Sequence, residues 1–472
     1  MQFAMGNGIV LFLGVIATPI ITRIINPEEM GKFSMFNTVA NLLLLVVCLG
    51  IDQAYIRFYY DEDESNRGKL LDKCIKIPMA INMVLTVFIL ILYKPLSMYM
   101  VAEESIIIIV LLVIHITGSI ISRFSLLQVR MRQRAKFYSF LNILMKMSYL
   151  ILVSIFFTVL NNNYIILVLA TIFSNILMAI VGIVVERKEW FNFNKMDHLK
   201  TSTKEIVMYG IPFIFSMAIT WLFQSIDRIA IKEFCGYSQV GLYSGAMNII
   251  SLLNACQGAF TTFWIPVAYE KYCNNPENTQ FFARINEIVS VGMLLVSIIL
   301  IFGKDVMILL LGQEYREAMF IFPYLVFMPI MYTISETTVI GINFKKKTKN
   351  HIYIAIISAI TNIIGNLILV PKLGAKGAAI STGISYIIFF LARTYFSSKY
   401  YKVKYKLIKF YLATFMTYIL ATYASFNTFN IQIIILTIIS IGVVIIMYRK
   451  LIIEIFIKIR KFIRVNYLYI WR

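Results

Sequence analysis

Five of the basic residues that stand inside otherwise apolar runs of this chain are candidates for binding an anion: Arg23, Arg57, Arg123, Lys146 and Arg228. A charge held within a bilayer costs about 2.5 kcal/mol or more, so it tends to face a cavity or find a partner. A planar guanidinium lining a cavity can clamp phosphate oxygens through two parallel N–H bonds, and an ammonium can add a point charge to the same site. Arg57, Arg123 and Arg228 lie near the ends of their runs, where they can equally well snorkel to lipid headgroups. Lys146 sits about two turns inside its run, so snorkelling accounts for it least. Arg23 and Arg228 lie toward one membrane face and Arg57, Arg123 and Lys146 toward the other, which places cationic groups at two depths.

Asp52, Asp227, Glu336 and His115 are the ionisable candidates for binding a cation. A carboxylate or imidazole inside a span can hold a coupling proton or sodium ion, while a neutral histidine can instead bond to a neighbouring helix. Glu336 is the best placed of the carboxylates, with Thr333 and Thr337 close by and no basic residue near it in sequence. Asp227 and Arg228 are adjacent and do not share a helical face, so their adjacency is no evidence of an ion pair. Asn362 and Asn366, at i and i+4, form a polar stripe that either bonds ligand hydroxyls or joins two helices.

These residues need membrane-crossing elements to position them. Of 472 residues, 60% are apolar and 14% charged, against roughly 45 to 50% and 25% in soluble chains. That apolar content is enough for about fourteen helices of about 20 residues each. Apolar runs fall near 3 to 24, 33 to 58, 77 to 93, 105 to 127, 139 to 160 and 164 to 185. After a polar stretch they resume near 205 to 232, 240 to 265, 285 to 303, 318 to 341, 352 to 370, 377 to 396, 408 to 424 and 431 to 448. The runs are too long for barrel strands of about 10 residues and are apolar on every face. The chain is therefore expected to be an all-α polytopic membrane protein.

A net charge of +20 would suggest nucleic acid on a soluble domain. Here the loops after runs two, four, six, eight, ten and twelve, with the tail, carry 31 Lys and Arg, Lys195 among them, whereas the other loops carry only Lys94, Lys304, Arg316, Lys372 and Lys376. The positive-inside rule then places both termini in the cytoplasm. The basic surplus faces anionic lipid headgroups, and no nucleic-acid partner is expected. No outer loop is long enough for an external catalytic domain, and no disulfide framework is expected outside. No phosphate-binding G-x-x-x-x-G-K-[ST], H-E-x-x-H or paired C-x-x-C motif occurs, and there are only three histidines, so neither ATP hydrolysis nor a histidine or cysteine metal site is expected. The first run lacks a basic leading segment and reads as an uncleaved anchor.

A faint repeat joins the two halves. Gly31-Lys32-Phe33-Ser34 aligns with Gly241-Leu242-Tyr243-Ser244 at an offset of 210, which also places Lys94 and Glu104 on Lys304 and Glu314, and Lys136 on Lys346. Each half carries a proline in its first run, Pro19 and Pro212, where the register slips. Six runs within the repeat are an even number, so equivalent helices run in the same direction and a pseudo-two-fold axis lies along the membrane normal. The expected divisions are a six-helix lobe at 1–204, a second at 205–407, accessory helices at 408–448 and a cytoplasmic amphipathic tail at 449–472.

The stretch Thr22-Arg23-Ile24-Ile25-Asn26-Pro27-Glu28-Glu29-Met30-Gly31-Lys32-Phe33, followed by Gly50-Ile51-Asp52-Gln53-Ala54-Tyr55-Ile56-Arg57-Phe58, resembles the opening of the polysaccharide (O-antigen type) flippases. Tyr209-Gly210-Ile211-Pro212, Ser225-Ile226-Asp227-Arg228, Val240-Gly241-Leu242-Tyr243, Gly312-Gln313-Glu314-Tyr315 and Leu373-Gly374-Ala375-Lys376-Gly377-Ala378-Ala379 are similar to that family's pattern in the same order, over residues 18 to 396. Family members often begin with a basic cytoplasmic segment, whereas here Met1 leads straight into an apolar run. The resemblance places the chain in the multidrug/oligosaccharidyl-lipid/polysaccharide exporter group. It implies two six-helix bundles, alternating access, and movement of undecaprenyl-diphosphate-linked oligosaccharides from the inner to the outer leaflet of a bacterial cytoplasmic membrane. On that reading the five cations hold the diphosphate, Asn362 and Asn366 meet sugar hydroxyls, and the protein is not an enzyme. No cofactor is implied beyond a coupling sodium ion or proton, and contact with a glycan polymerase and glycosyltransferases is expected.

Two other classes stay open. A cation-coupled drug or metabolite antiporter of the same superfamily would have the same helix count but a cavity lined with carboxylates. A membrane enzyme of envelope glycan assembly would need a carboxylate or histidine constellation at one membrane face.

Overall fold

The computed structural model describes residues 2–160, 162–191, 199–454 and 457, with side chains 2–7, 215 and 216 outside the description. Lys195 and the tail beyond Glu454, apart from Ile457, lie outside the described residues. The chain divides into two compact units, one of Met1–Gly245 with Leu311–Tyr315 and one of Ala246–Leu310 with Arg316–Arg472. All regular structure among the described residues is helical. A lipid-exposed backbone has no water to bond, and a helix satisfies its own amides and carbonyls.

In the first unit the order is α1 (Gln2–Ile24), α2 (Pro27–Cys48), α3 (Ile51–Phe58), α4 (Arg67–Ile91), α5 (Tyr93–Val101), α6 (Ile106–Met131), α7 (Ala135–Leu160), α8 (Tyr164–Val185), α9 (Arg187–Trp190), α10 (Thr203–Cys235) and the start of α11 (Tyr237–Asn274). The starts are written in capping residues. Asn26 accepts from the Glu29 amide with Pro27 just inside α2, and Ser202 with Glu205 forms a reciprocal capping box on α10, so amides that a first turn leaves free are bonded. Glu29 also accepts from the Tyr164 amide at 2.8 Å, tying the start of α8 to α2. Phe36, Tyr55, Leu112, Ile116 and Phe124 are buried in one apolar cluster along α2, α3 and α6.

The second unit continues α11 and adds α12 (Thr279–Phe302), α13 (Lys304–Ile308), α14 (Phe322–Leu325), α15 (Phe327–Thr338), α16 (Ile340–Phe344), α17 (Lys349–Leu373), α18 (Ala375–Ser398), α19 (Leu407–Phe426) and α20 (Ile431–Met447). A 3-10 segment at Gln313–Phe320 precedes α14, and the chain bends by 59° between it and Phe322–Thr338. Gly365 packs α17 onto α18 so closely that a Cβ there would lie 2.3 Å from Ser381 Oγ.

Ten described helices are long and apolar enough to cross a membrane, eleven with the bent pair counted as one span, and Gly8–Ile24 and Ile431–Met447 are shorter apolar helices. α11, at 38 residues, is ample in length but carries Asn248, Asn254, Gln257, Thr261 and Thr262. These elements are consistent with the fourteen expected. Three apolar runs differ in form from their sequence reading. The run 33 to 58 is broken where Leu49 (φ 47°) and Gly50 (φ 70°) both turn left-handed, which stops an α-helix. The run 318 to 341 falls into bent pieces around Pro323 and Pro329. The run 240 to 265 is the middle of a longer helix. Within the first compact unit, α10 and the head of α11 pack on α2 and on the break between α2 and α3.

Candidate functional site

The cationic candidates all fall in the first unit and divide by partner. Arg57, near the end of α3, pairs with Asp61 at 2.7 Å, and both side chains are about half exposed. Arg123 of α6 reaches Asp52 at the start of α3, 3.1 Å away, where Gln53 also donates to the carboxylate. The Asp52 side chain is 6% exposed and that of Arg123 34%, so the pair is sealed on one side and open on the other. Arg23 is exposed at the end of α1. Lys146 is half-buried on α7 with its ammonium 5.5 Å from the Tyr149 ring centre. Arg228 is half-buried, donates to the Gln224 carbonyl at 3.3 Å, and has a buried Nε without a hydrogen-bond partner. Among the described residues no carboxylate lies within 4.0 Å of Arg23, Lys146 or Arg228.

Two coupling candidates of this unit are bound into packing. Asp227 accepts from the Tyr243 hydroxyl at 2.6 Å, so a tyrosine one helix away, and not the adjacent Arg228, meets it. His115 is buried with its ring edge-on to Phe36 at 5.6 Å, and its Nδ1 lacks a partner.

In the second unit Glu336 on α15 pairs with Arg393 on α18 at 2.8 Å, with side chains 5% and 7% exposed. Arg393 also donates to Ser335 at 2.6 Å, and its guanidinium lies 5.0 and 4.9 Å from the rings of Tyr332 and Phe389. The apparent isolation of Glu336 in sequence is thus removed by a residue 57 positions later. Around it Trp264 donates to the Glu336 carbonyl, Asn286 to Thr337 and Tyr405 to the Thr337 carbonyl. Asn366 donates to Asn362, which reaches Ser381 and Thr382 across the α17 and α18 contact. The asparagine stripe therefore joins two helices, whatever else it binds.

Arg393 is the residue that reading by runs missed. Its signal is a lone arginine inside the run 377 to 396, absent from the candidates above. Lys304, whose side chain is fully buried beside Asp305, lies just past the run 285 to 303 and so counts in sequence as a loop residue.

A family model described as polysaccharide biosynthesis protein matches residues 2–270. The capsular polysaccharide biosynthesis protein CapF of Staphylococcus aureus is 24% identical over 209 residues, which is 42% of this chain and 50% of CapF, so the match spans about half the length of that curated relative. Among solved structures, the lipid II flippase MurJ in an inward closed conformation superposes with a TM-score of 0.71 at 18% identity, covering 95% of this chain and 99% of that one. An inward-facing multidrug resistance MATE family transporter gives 0.62 at 15% identity over 84% and 97%. At these identities the likeness is one of fold. The chain belongs to the polysaccharide biosynthesis protein family and is a multi-pass membrane protein with the helical fold of these transporters.

Proposed function

We propose that this protein is a flippase that moves undecaprenyl-diphosphate-linked oligosaccharide repeat units from the inner to the outer leaflet by alternating access, for surface polysaccharide. The observation that carries this reading is the set Arg23, Lys146 and Arg228, cations on membrane helices with no carboxylate within 4.0 Å among the described residues. Unneutralised cations at such positions suit an anionic cargo, and a lipid-linked diphosphate can keep its tail in the bilayer while its headgroup meets them. Arg57 and Arg123 serve the same headgroup with part of their charge held by Asp61 and Asp52, whereas Asn362 and Asn366 are buried with their amides bonded within the α17 and α18 contact. Family membership, the capsular polysaccharide relative and the fold shared with a lipid II flippase support the same cargo class. The antiporter reading needs free carboxylates for organic cations, yet Asp52 and Glu336 are paired to arginines.

By the 210-residue sequence repeat, the two six-helix lobes are 1–204 and 205–407, with accessory helices at 408–448. Loop charges support a bacterial cytoplasmic membrane with both termini inside. Outward movement of a headgroup of charge about −2 gains roughly 4 to 5 kcal/mol per 100 mV, inside negative, so no ATP is needed, and sodium or protons at Asp52, Asp227, Glu336 or His115 reset the carrier. Surrounding lipids, and glycosyltransferases and a glycan polymerase on either side of the step, are its partners. A flipping assay in liposomes with defined undecaprenyl-diphosphate oligosaccharides tests this. Leaflet exchange above protein-free liposomes is expected, and exchange at the protein-free rate overturns it.

A further inference from the structure

Two sets of glycines in the first unit let helix backbones touch at opposite ends of α2. At its start, a Cβ on Gly31 would lie 1.9 Å from the Tyr237 carbonyl oxygen, and one on Gly241 would lie 1.7 Å from that of Pro27. These contacts are reciprocal under the 210-residue repeat, since Pro27 maps onto Tyr237 and Gly31 onto Gly241. The arrangement is that of a local two-fold axis, on which a residue can meet its own equivalent. Ser244 does so, donating to Ser34 at 2.9 Å. The same end is fastened from both flanks, by Tyr237 donating to the Tyr99 carbonyl at 2.8 Å and Tyr315 to the Ile25 carbonyl at 2.9 Å.

At the other end of α2, a Cβ on Gly50 would lie 2.4 Å from the Gly210 carbonyl, and one on Gly210 would lie 2.5 Å from that of Leu49. Phe58 and Tyr209 meet edge to face beside it at 5.5 Å. Any side chain larger than hydrogen at these four positions must push two backbones apart, since the opposing atoms are main chain and do not give way. Between the two contacts α2 exposes Asn41 and α10 exposes Thr220 and Gln224, polar groups suited to a watery passage and not to lipid.

We infer that the Gly31–Gly241 contact is the outer gate and the Gly50–Gly210 contact the inner gate of the transport cycle, each opening only while the other is closed. This rests on the alternating-access reading above. The outer gate is the more heavily bonded and turns about the Ser34–Ser244 axis.

Thr38 is 4% exposed, lies between the gates, and is the test position. In a chain whose five native cysteines are replaced, Thr38→Cys is labelled by an impermeant maleimide from the outer side. An open state holding about 10% or less of the population can rise about tenfold when it is propped open, so Gly31→Ala and Gly241→Ala are expected to label about tenfold faster than the parent. Gly210→Ala, which props the opposite end, labels more slowly than the parent. In a second arm, Ser34→Cys with Ser244→Cys forms a disulfide rapidly in the parent and slowly when Gly31→Ala is added. Equal labelling in all three glycine variants, or faster outer labelling in Gly210→Ala, overturns the gates. So does an unchanged rate of cross-linking. Neither arm needs cargo, so failure of lipid-linked oligosaccharide flipping would sink the cargo reading and leave the gates standing.

Discussion

Ser34 and Ser244 are 210 residues apart in the chain and 2.9 Å apart in space, hydroxyl to hydroxyl. Both are buried, so each hydroxyl depends on the other for a partner that water would otherwise supply. Removing one leaves a desolvated group, whereas removing both leaves none. Ser34→Ala or Ser244→Ala is therefore expected to cost about 1 to 3 kcal/mol, and the double variant less than the sum of the two. Thermal unfolding in detergent measures this, and strict additivity would mean that the bond contributes nothing.

The repeat behind that contact was legible because glycine and serine at close backbone contacts tolerate little change, so Gly31-Lys32-Phe33-Ser34 and Gly241-Leu242-Tyr243-Ser244 still align. The helical class followed from run length. Breaks were not legible, because hydropathy reports side chains and the halt at Leu49 and Gly50 is a backbone event. Short elements such as α5 and α13 escaped for a related reason, being too brief to form an apolar run. Individual charges were visible, but their partners lie far along the chain: Arg123 is 71 residues from Asp52 and Arg393 is 57 from Glu336. Which charges are neutralised decides which can bind an anion, and that required the fold.

Arg23→Ala and Lys146→Ala are expected to abolish glycan export in cells while leaving expression and melting near the parent values. Neither side chain has a carboxylate partner among the described residues, so its loss strands no buried acid. Arg23→Lys should restore part of the activity and Arg23→Gln none, since a charge and not a shape is needed. Full complementation of a null strain by both alanine variants at normal levels would exclude these positions from cargo binding.

The Asp52–Arg123 pair makes a contrasting case. Asp52→Asn leaves Arg123 at 34% exposure with its charge unopposed, whereas Arg123→Ala leaves a carboxylate at 6% exposure without its cation. Stranding the buried partner is the costlier change, of order 3 to 5 kcal/mol when a buried pair is broken. Arg123→Ala should therefore melt well below Asp52→Asn. The reverse order in a melting experiment would show that Asp52 is held chiefly by Gln53.

Glu336 and Arg393 separate stability from coupling. Both side chains are less than 10% exposed and their pair is closed in by Ser335, Tyr332 and Phe389. Glu336→Gln keeps size and some hydrogen bonding but leaves the guanidinium without its counter-charge, a loss of about 3 kcal/mol or more. Glu336→Gln combined with Arg393→Gln removes both charges and should recover much of that stability. If Glu336 binds the coupling cation, neither variant can respond to a sodium or proton gradient, because neither retains the carboxylate, while lipid-linked oligosaccharide binding at the first unit's cations persists. If Glu336 only anchors α15 to α18, the double variant regains both stability and gradient response. Proteoliposomes with an imposed potential, then an imposed ion gradient, distinguish the two. Recovery of the gradient response in the stable double variant would move coupling to Asp52, Asp227 or His115.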